Sequence, residues 1–247
     1  MGAGRAAFAT FCALLADPAV THVAVTFDSL LAPPDKRSDP LAAQVPLVVE
    51  VVRALGIVVW PSGRLSADEL LASGARRFRD EAHVTLCTTD LDNAQCVSGD
   101  RVVLLDRSRR KVTTEADVRE RFGVGPDQLP DLFALAGDRS DGIAGVPGWG
   151  LKSAAAIVAA HGRLDDIPAD PRDWKATIRG ADRLAGTLAE RRREAIHARD
   201  LLILRDDAPI PYGLADLARR GPDTAKVDAV LARLEAPELA DRVTTRR

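Results

Sequence analysis

The sequence predicts an α/β fold, a parallel sheet flanked by helices and followed by a helical region that contains a helix-hairpin-helix. Short β-branched runs alternate with helical patterns as far as Leu105, and only helical patterns follow. Strands that alternate with helices are typical of a parallel sheet covered on both faces. A glycine-rich turn at residues 145–150 then lies directly before a helical segment of small residues, which is the pattern of a helix-hairpin-helix.

The first part of the chain contains the predicted strands. An amphipathic helix is expected over residues 6–16, and the acid at Asp17 argues against a signal peptide. Short apolar or β-branched runs predict four strands, at residues 22–27, 57–60, 83–87 and 101–105. Helical spacing predicts two helices between them, at residues 41–55 and 67–82. Gly56 ends the first of these helices, and Ser66 is the expected N-cap of the second.

In the second part of the chain the sequence pattern predicts helices only, at residues 115–122, 126–136, 152–160 and 183–204. Gly162 marks the end of the third of these helices. The last segment, residues 221–247, is charged and only weakly amphipathic. We therefore expect an α/β domain over residues 1–136, a hairpin region over residues 137–215 and a charged tail over residues 216–247.

Composition excludes several classes of protein. The chain has 247 residues, 46% of them hydrophobic, and a formal net charge of −2, so any binding of nucleic acid must come from local basic patches. No apolar run reaches the length of a membrane span, and we expect no membrane association. Cys12, Cys87 and Cys96 show neither metal-ligand nor paired spacing, which indicates reduced thiols and a cytoplasmic location.

Seven carboxylates fall where an α/β fold would bring them together. Asp28, Asp90 and Asp92 lie at or just past the ends of predicted strands, where open α/β sheets bind their ligands. The others lie in the first turn of a helix or just before the glycine turn: Asp68, Glu69, Asp138 and Asp141. Taken singly, each acid is more simply a helix cap or a surface group. As a set they would repel one another unless divalent cations neutralised them, and two such ions about 4 Å apart hydrolyse phosphodiesters.

The glycine turn predicts a phosphate-binding loop. Glycine lets the backbone approach a phosphate closely, and the amides at the start of the next helix face the anion. Lys152 adds a positive charge at that helix start. The residues expected to contact DNA in this way, without base specificity, are Gly145, Val146, Gly148, Gly150, Lys152 and Ser153. An ordinary tight turn between packed helices is the alternative. The arginines at residues 191–193 fit either phosphate contacts or a solvated helix face.

These motifs resemble the bacterial 5′–3′ exonuclease and flap endonuclease family, which includes the N-terminal nuclease domain of DNA polymerase I. The resemblance covers residues 22–212. It is most specific at residues 137–155, where the family pattern is Gly-Asp-x-Ser-Asp-x-Ile-x-Gly-Val-x-Gly-x-Gly-x-Lys. Shorter matches occur at residues 27–28, 89–92 and 122–132.

The resemblance implies a PIN-like α/β domain with a helix-hairpin-helix. It further implies hydrolysis of DNA at 5′ ends, flaps or branched duplexes, with Mg²⁺ or Mn²⁺ at two sites, a potassium ion at the hairpin, and a DNA polymerase as partner. The implied catalytic residues are Asp68, Asp90, Asp92, Asp138 and Lys36, the last of these standing in for a lysine of the family's arch.

The sequence also departs from the family pattern. The family begins with a strand that ends in a ligand Asp, and this sequence begins after that element. Ser66 replaces the first acid of the family's Glu-Ala-Asp-Asp motif, Leu91 replaces a lysine, and the arch is reduced to a short loop at residues 34–37. The resemblance therefore implies that one metal site keeps all of its acids. The other has lost two of its acids, the N-terminal Asp and the one replaced by Ser66, and keeps Asp28.

Two other functions remain open from the sequence. One is a DNA-binding relative that keeps the hairpin but cuts poorly or not at all. The other is a PIN-type ribonuclease, against which the helix-hairpin-helix argues because that element suits a DNA duplex.

Overall fold

The computed structural model describes residues 2–28 and 42–244. The chain forms two compact units, one made of Met1–Leu70 with Ala208–Arg247 and the other of Leu71–Asp207. The first unit is therefore assembled from both ends of the chain, and the second from its continuous middle. These boundaries do not coincide with the predicted ones at residues 136 and 215.

The described residues form nine α-helices and five strands. The helices are α1 Gly2–Leu15, α2 Val45–Ala54, α3 Ala67–Phe78, α4 Glu115–Phe122, α5 Leu129–Ala136, α6 Leu151–His161, α7 Ala181–Leu202, α8 Thr224–Arg233 and α9 Asp241–Thr244. The strands are β1 Ala24–Val25, β2 Val58–Val59, β3 Val84–Leu86, β4 Val102–Asp106 and β5 Lys111–Thr113. Among the described helices, none is both long enough and apolar enough to cross a membrane.

The strands pair mainly in parallel, as the sequence predicts. In the first unit β1 pairs with β2 in parallel, with Ala24 opposite Val58. In the second unit β3 pairs with β4 in parallel, with Val84 opposite Val102. The sequence analysis missed β5, which pairs antiparallel to β4. The reason is its brevity, since three residues after a turn show no periodicity.

The core of the first unit lies between α1, α2 and α8. Phe8, Val51, Val52, Leu231 and Leu234 are all fully or almost fully buried there. The predicted charged tail is thus corrected, because part of it is a core helix. The apolar residues of α8 recur at helical spacing, which buries one face although the segment as a whole is charged.

The core of the second unit surrounds α5, which contacts both α6 and α7. Leu132 and Leu135 of α5 and Ile157 and Val158 of α6 are completely buried. Helix α5 ends at Gly137, whose φ of 88° suits glycine and turns the chain into the loop with the predicted acids. The packing of α5 therefore fixes where that loop begins.

Candidate metal centre and hairpin surface

Three of the predicted acids meet in the second unit. Asp92, Asp138 and Asp141 each offer a carboxylate oxygen, and these oxygens all lie within 4.8 Å of one another. Asp92 begins the 3₁₀ turn Asp92–Cys96 that follows β3, while the other two lie in the loop after α5. We call this group the acid cluster.

The loop with Asp138 and Asp141 is closed by a pair of backbone hydrogen bonds. The N–H of Asp138 donates to the carbonyl oxygen of Ile143 at 2.9 Å, and the N–H of Ile143 donates back at 2.7 Å. Within the loop, the N–H and the hydroxyl of Ser140 both donate to Oδ1 of Asp138. These bonds hold the Asp138 carboxylate in one orientation.

Asp90 supports the other side of the acid cluster. Its Oδ1 accepts the backbone N–H of Asp92 at 3.0 Å, an Asx-type turn that follows the strand. Asp90 itself is exposed, and it lies close enough to Asp92 to act on that residue's charge. Asp90 therefore lies beside the three-carboxylate group.

Gln95 fixes the turn that contains Asp92, and the sequence analysis missed it. Its Nε2 donates to the carbonyl oxygens of Asp92 at 2.9 Å and Leu202 at 3.1 Å, and its Oε1 accepts the N–H of Leu204 at 2.9 Å. One side chain thus ties the Asp92 turn to the end of α7. No sequence signal marks it, because backbone acceptors have no side-chain signature.

The acid cluster is electrostatically unfavourable when all its members are ionised. Burial, together with the neighbouring carboxylates of Asp141, Asp90 and Asp138, raises the pKa of Asp92 to about 7. A hard divalent cation takes oxygen ligands and would relieve this repulsion. The donor set, made only of carboxylate oxygens, fits such an ion.

The predicted acids of the first unit are arranged around the start of α3. Oδ1 of Asp28 accepts the N–H of Ala67 at 2.9 Å. The N–H of Glu69 donates to Oγ of Ser66 at 3.1 Å, and the N–H of Ser66 donates to Oε2 of Glu69 at 2.8 Å. This reciprocal pair is a capping box, so the predicted N-cap at Ser66 is confirmed.

The capping box engages Glu69 within its own helix, in the same turn as Asp68. In the first unit, as far as the structure describes it, Asp28, Asp68 and Glu69 do not form a three-carboxylate group like the acid cluster. The remaining predicted catalytic residue, Lys36, lies outside the described residues.

The glycine turn is a tight loop packed on α5. The N–H of Val146 donates to the carbonyl oxygen of Leu135 at 2.8 Å, and the Val146 side chain is buried. A Cβ on Gly145 would lie 2.5 Å from the backbone nitrogen of Gly137, so only glycine fits there. Val146 therefore anchors the loop internally, and its N–H is already bonded.

The start of α6 contains an exposed positive charge of the hairpin, that of Lys152. Gly150 precedes the helix, and its N–H donates to Oγ of Ser153 at 3.1 Å while that hydroxyl donates to the Gly150 carbonyl at 2.9 Å. Ser153 is thus a local cap. The side chain of Lys152 is exposed, as is Gly148 in the loop with a φ of 85°.

The arginines at residues 191–193 of α7 have different environments. The guanidinium of Arg192 donates to the carbonyl oxygens of Leu164 and Ile167, which follow α6 in the chain. Arg191 forms an ion pair with Glu194 at 3.2 Å. Arg192 therefore has a structural role, which the sequence left open.

Family models match almost the whole chain. The "5′–3′ exonuclease, N-terminal resolvase-like domain" matches residues 1–123, and the "5′–3′ exonuclease, C-terminal SAM fold" matches residues 124–225. A DNA polymerase I of Treponema pallidum is 36% identical over 202 residues, which are 81% of this chain and 20% of that protein. A 5′–3′ exonuclease of Aquifex aeolicus is 29% identical over 209 residues, with 84% of this chain and 69% of that protein covered.

This chain spans about a fifth to a third of the polymerases that it matches first. Solved structures share its fold, and two T5 nucleases are among them. T5 5′-exonuclease with bound zinc has a TM-score of 0.65 at 17% identity, covering 98% of this chain and 89% of that one. A bacteriophage T5 flap endonuclease in a pseudo-enzyme-product complex with DNA and metal ions has a TM-score of 0.54 at 18% identity, covering 96% and 87%.

The two family models follow each other without a gap and in the order of the chain. Asp92 of the acid cluster lies in the first matched region, while Asp138, Asp141 and the glycine turn lie in the second. The family membership that the sequence motifs predicted is thereby confirmed, and the chain belongs to the 5′–3′ exonuclease family.

Proposed function

We propose that this chain is a metal-dependent DNA 5′–3′ exonuclease or flap endonuclease that hydrolyses phosphodiester bonds without base specificity. The observation that supports this most is the acid cluster, in which three carboxylates approach within 4.8 Å. Without a cation, the three carboxylates repel one another. With a divalent cation bound, they would position it for phosphodiester hydrolysis. Its position in a chain of the 5′–3′ exonuclease family makes DNA the favoured substrate.

Asp92, Asp138 and Asp141 would hold the cation, with Asp90 beside them. Mg²⁺ or Mn²⁺ would supply an activated water and stabilise the leaving oxygen. The chain's own contribution is orientation. The N–H and the hydroxyl of Ser140 both donate to Oδ1 of Asp138 and so fix the orientation of that carboxylate.

The hairpin would bind the DNA backbone. Exposed Lys152 and the first amides of α6 suit a phosphate, because helix N-termini attract anions. Carbonyl oxygens of the loop at residues 145–150 would hold a potassium ion. The solved complex of the T5 flap endonuclease with DNA supports the choice of a flap or branched duplex. A DNA polymerase as partner and a cytoplasmic location belong to the same proposal.

A second candidate function is a DNA-binding relative that cuts poorly or not at all. The observation in its favour is the capping box at the start of α3. Ser66 offers no carboxylate where the family motif has one, and the carboxylate of Glu69 accepts the Ser66 N–H. The second metal site would then have few acids left, so cleavage would fail while binding through the hairpin persisted.

A cleavage assay separates the two. Purified protein is incubated with a 5′-labelled flap duplex in Mg²⁺ and then in Mn²⁺, beside the variants Asp138→Ala and Asp100→Ala. Asp100 is an exposed aspartate outside the acid cluster and controls for the loss of one charge. Cleavage that Asp138→Ala abolishes and Asp100→Ala preserves supports the nuclease. Binding of the flap without cleavage in either metal supports the second candidate.

A further inference from the structure

We infer that Arg183, which lies outside the glycine motif, is a phosphate-binding residue of the hairpin and contacts the backbone of bound DNA. This inference rests on the proposed function and adds a residue to its binding surface. Three features of the second unit lead to it: how the start of α7 is attached to the hairpin loop, where the guanidinium lies, and which charges surround it.

The first turn of α7 is attached to the hairpin loop by a buried hydrogen bond. The indole Nε1–H of Trp149 donates to the carbonyl oxygen of Leu184 at 3.2 Å, and both residues are buried. Trp149 also packs on Trp174, with the ring centroids 5.9 Å apart. Since Arg183 directly precedes Leu184, its backbone has a fixed position relative to the loop.

The side chain of Arg183 lies against the loop itself. A Cβ on Gly148 would overlap Nη1 of Arg183, so the guanidinium occupies the space that a side chain at Gly148 would fill. Gly148 also has a φ of 85°, a conformation that side chains disfavour. The glycine thus serves two purposes, the shape of the turn and the close approach of an arginine.

The charge of Arg183 is available to a ligand. Arg183 is exposed, and in the parts of the chain that the structure describes it forms neither a hydrogen bond nor an ion pair. Other arginines of this unit are paired, as Arg172 is with Asp170. The hydrogen bond with Asp170 is the main cause that raises the pKa of Arg172, and the charge of Asp182, the acid next to Arg183 in the sequence, adds to that rise.

A phosphate suits this arrangement. A guanidinium presents planar paired donors that match phosphate oxygens, and it stays charged at every physiological pH. Lys152, another exposed cation of the hairpin region, follows Gly150 by two residues. Arg183 and Lys152 therefore supply positive charge from two different helices to one glycine loop. Contacts of this type hold the DNA backbone and do not read bases.

The salt dependence of binding tests the inference. Fluorescence anisotropy with a labelled 5′-flap duplex in EDTA, over a series of salt concentrations, is measured for the wild type, Arg183→Gln, Arg183→Lys and Arg79→Ala. Arg183→Gln keeps a long polar side chain and removes the charge. Arg79→Ala removes one exposed arginine that follows α3 and serves as the matched control. Thermal melts of each variant report on folding.

We expect Arg183→Gln to weaken binding about eightfold at about 0.1 M salt and to lower the salt slope by about 0.9, as the loss of one phosphate contact does. Arg183→Lys should restore the slope. An Arg183→Gln protein that binds like Arg79→Ala, with the wild-type slope, overturns the inference and leaves the proposed function standing. A wild type that binds no flap duplex at any salt concentration overturns both.

Discussion

Asp131 of α5 accepts a hydrogen bond from the backbone N–H of Leu164 at 2.9 Å, and Nη1 of Arg199 lies 3.7 Å from the same carboxylate. Asp131 is 2% exposed. Burial raises the pKa of this carboxyl, while the Leu164 N–H and the Arg199 charge oppose that rise. This one side chain links three elements that flank the acid cluster and the hairpin. They are helix α5, helix α7 and the segment that follows α6.

Replacing Asp131 with alanine should therefore lower the free energy of unfolding by about 2 kcal/mol, because it leaves the buried N–H of Leu164 without its acceptor. Arg199 loses one neighbouring carboxylate but keeps its pairs with Asp165 and Asp200. Asp165→Ala is the matched control. Asp165 pairs with the same Arg199 but has 49% of its side chain exposed, so its loss should cost less than about 1 kcal/mol. Urea titrations of the two variants measure the difference in their free energies of unfolding. Equal losses of stability would contradict the structural role of Asp131.

Gly145 offers a sharper test of the hairpin loop. An alanine there would place its Cβ 2.5 Å from the Gly137 nitrogen at a φ of 71°, and should destabilise the protein by about 2 kcal/mol or more. Gly150→Ala is the control, since a Cβ at Gly150 meets nothing within 4 Å and its φ of −129° is ordinary. Chemical denaturation that finds the two variants equally stable would show that the loop is looser than the structure indicates.

Removing one carboxylate from the acid cluster should have opposite effects with and without metal. In EDTA, Asp92→Asn should melt at a higher temperature than the wild type, by about 2–4 °C for each kcal/mol of repulsion relieved. In Mn²⁺ or Mg²⁺ the wild type should gain stability and Asp92→Asn should not. Asp100→Asn should follow the wild type in both conditions. A melt of Asp92→Asn that still rises with metal would place the cation elsewhere.

His161 should make the stability of the second unit depend on pH. Its Nε2 accepts the backbone N–H of Lys175 at 3.1 Å, which only the neutral ring does. Burial and the Lys175 charge lower its pKa below the unfolded value of about 6.5, while Asp166 opposes them.

The sign follows from that lowered pKa. The contribution of His161 is present above about pH 6.5 and is lost as the pH falls through the lower pKa of the folded protein. Unfolding free energies from about pH 7.5 to about pH 5 should fall less for His161→Gln than for the wild type. His197→Gln, which removes an exposed histidine of α7, is the control variant. A His161→Gln curve parallel to the wild type would refute this role.

The helices of the second unit are predictable because their ends have strong local signals. Thr114 and Asp117 form a capping box at the start of α4, and Gly123 ends that helix in the left-handed conformation. Such signals act within a few residues and are visible in the sequence. Strand β5 is too short to show a periodic pattern, although its partner β4 directly precedes it. Helix α8 is charged and packs on α2, which lies far away along the chain.

The residues of the candidate site likewise fall into those that the sequence predicts and those that it does not reveal. Asp92, Asp138 and Asp141 were predicted because strand ends and loop spacing place acids at one edge of a sheet. The Ser-x-x-Glu spacing at residues 66–69 is a capping-box signature, which would have assigned Glu69 to the helix start. Gln95 and Arg192 bond to backbone carbonyls, and every residue offers such a carbonyl. No sequence pattern reveals which one is chosen.

The division of the first unit between the two ends of the chain has a consequence for synthesis. On the ribosome, residues 71–207 are complete before α8 has been made, so the second unit can fold while the first still lacks Leu231 and Leu234. Phe8, Val51 and Val52 therefore lack these two packing partners until α8 has emerged. A chain truncated at residue 215 and released from the ribosome should therefore protect its middle from protease while its first 70 residues are still cut.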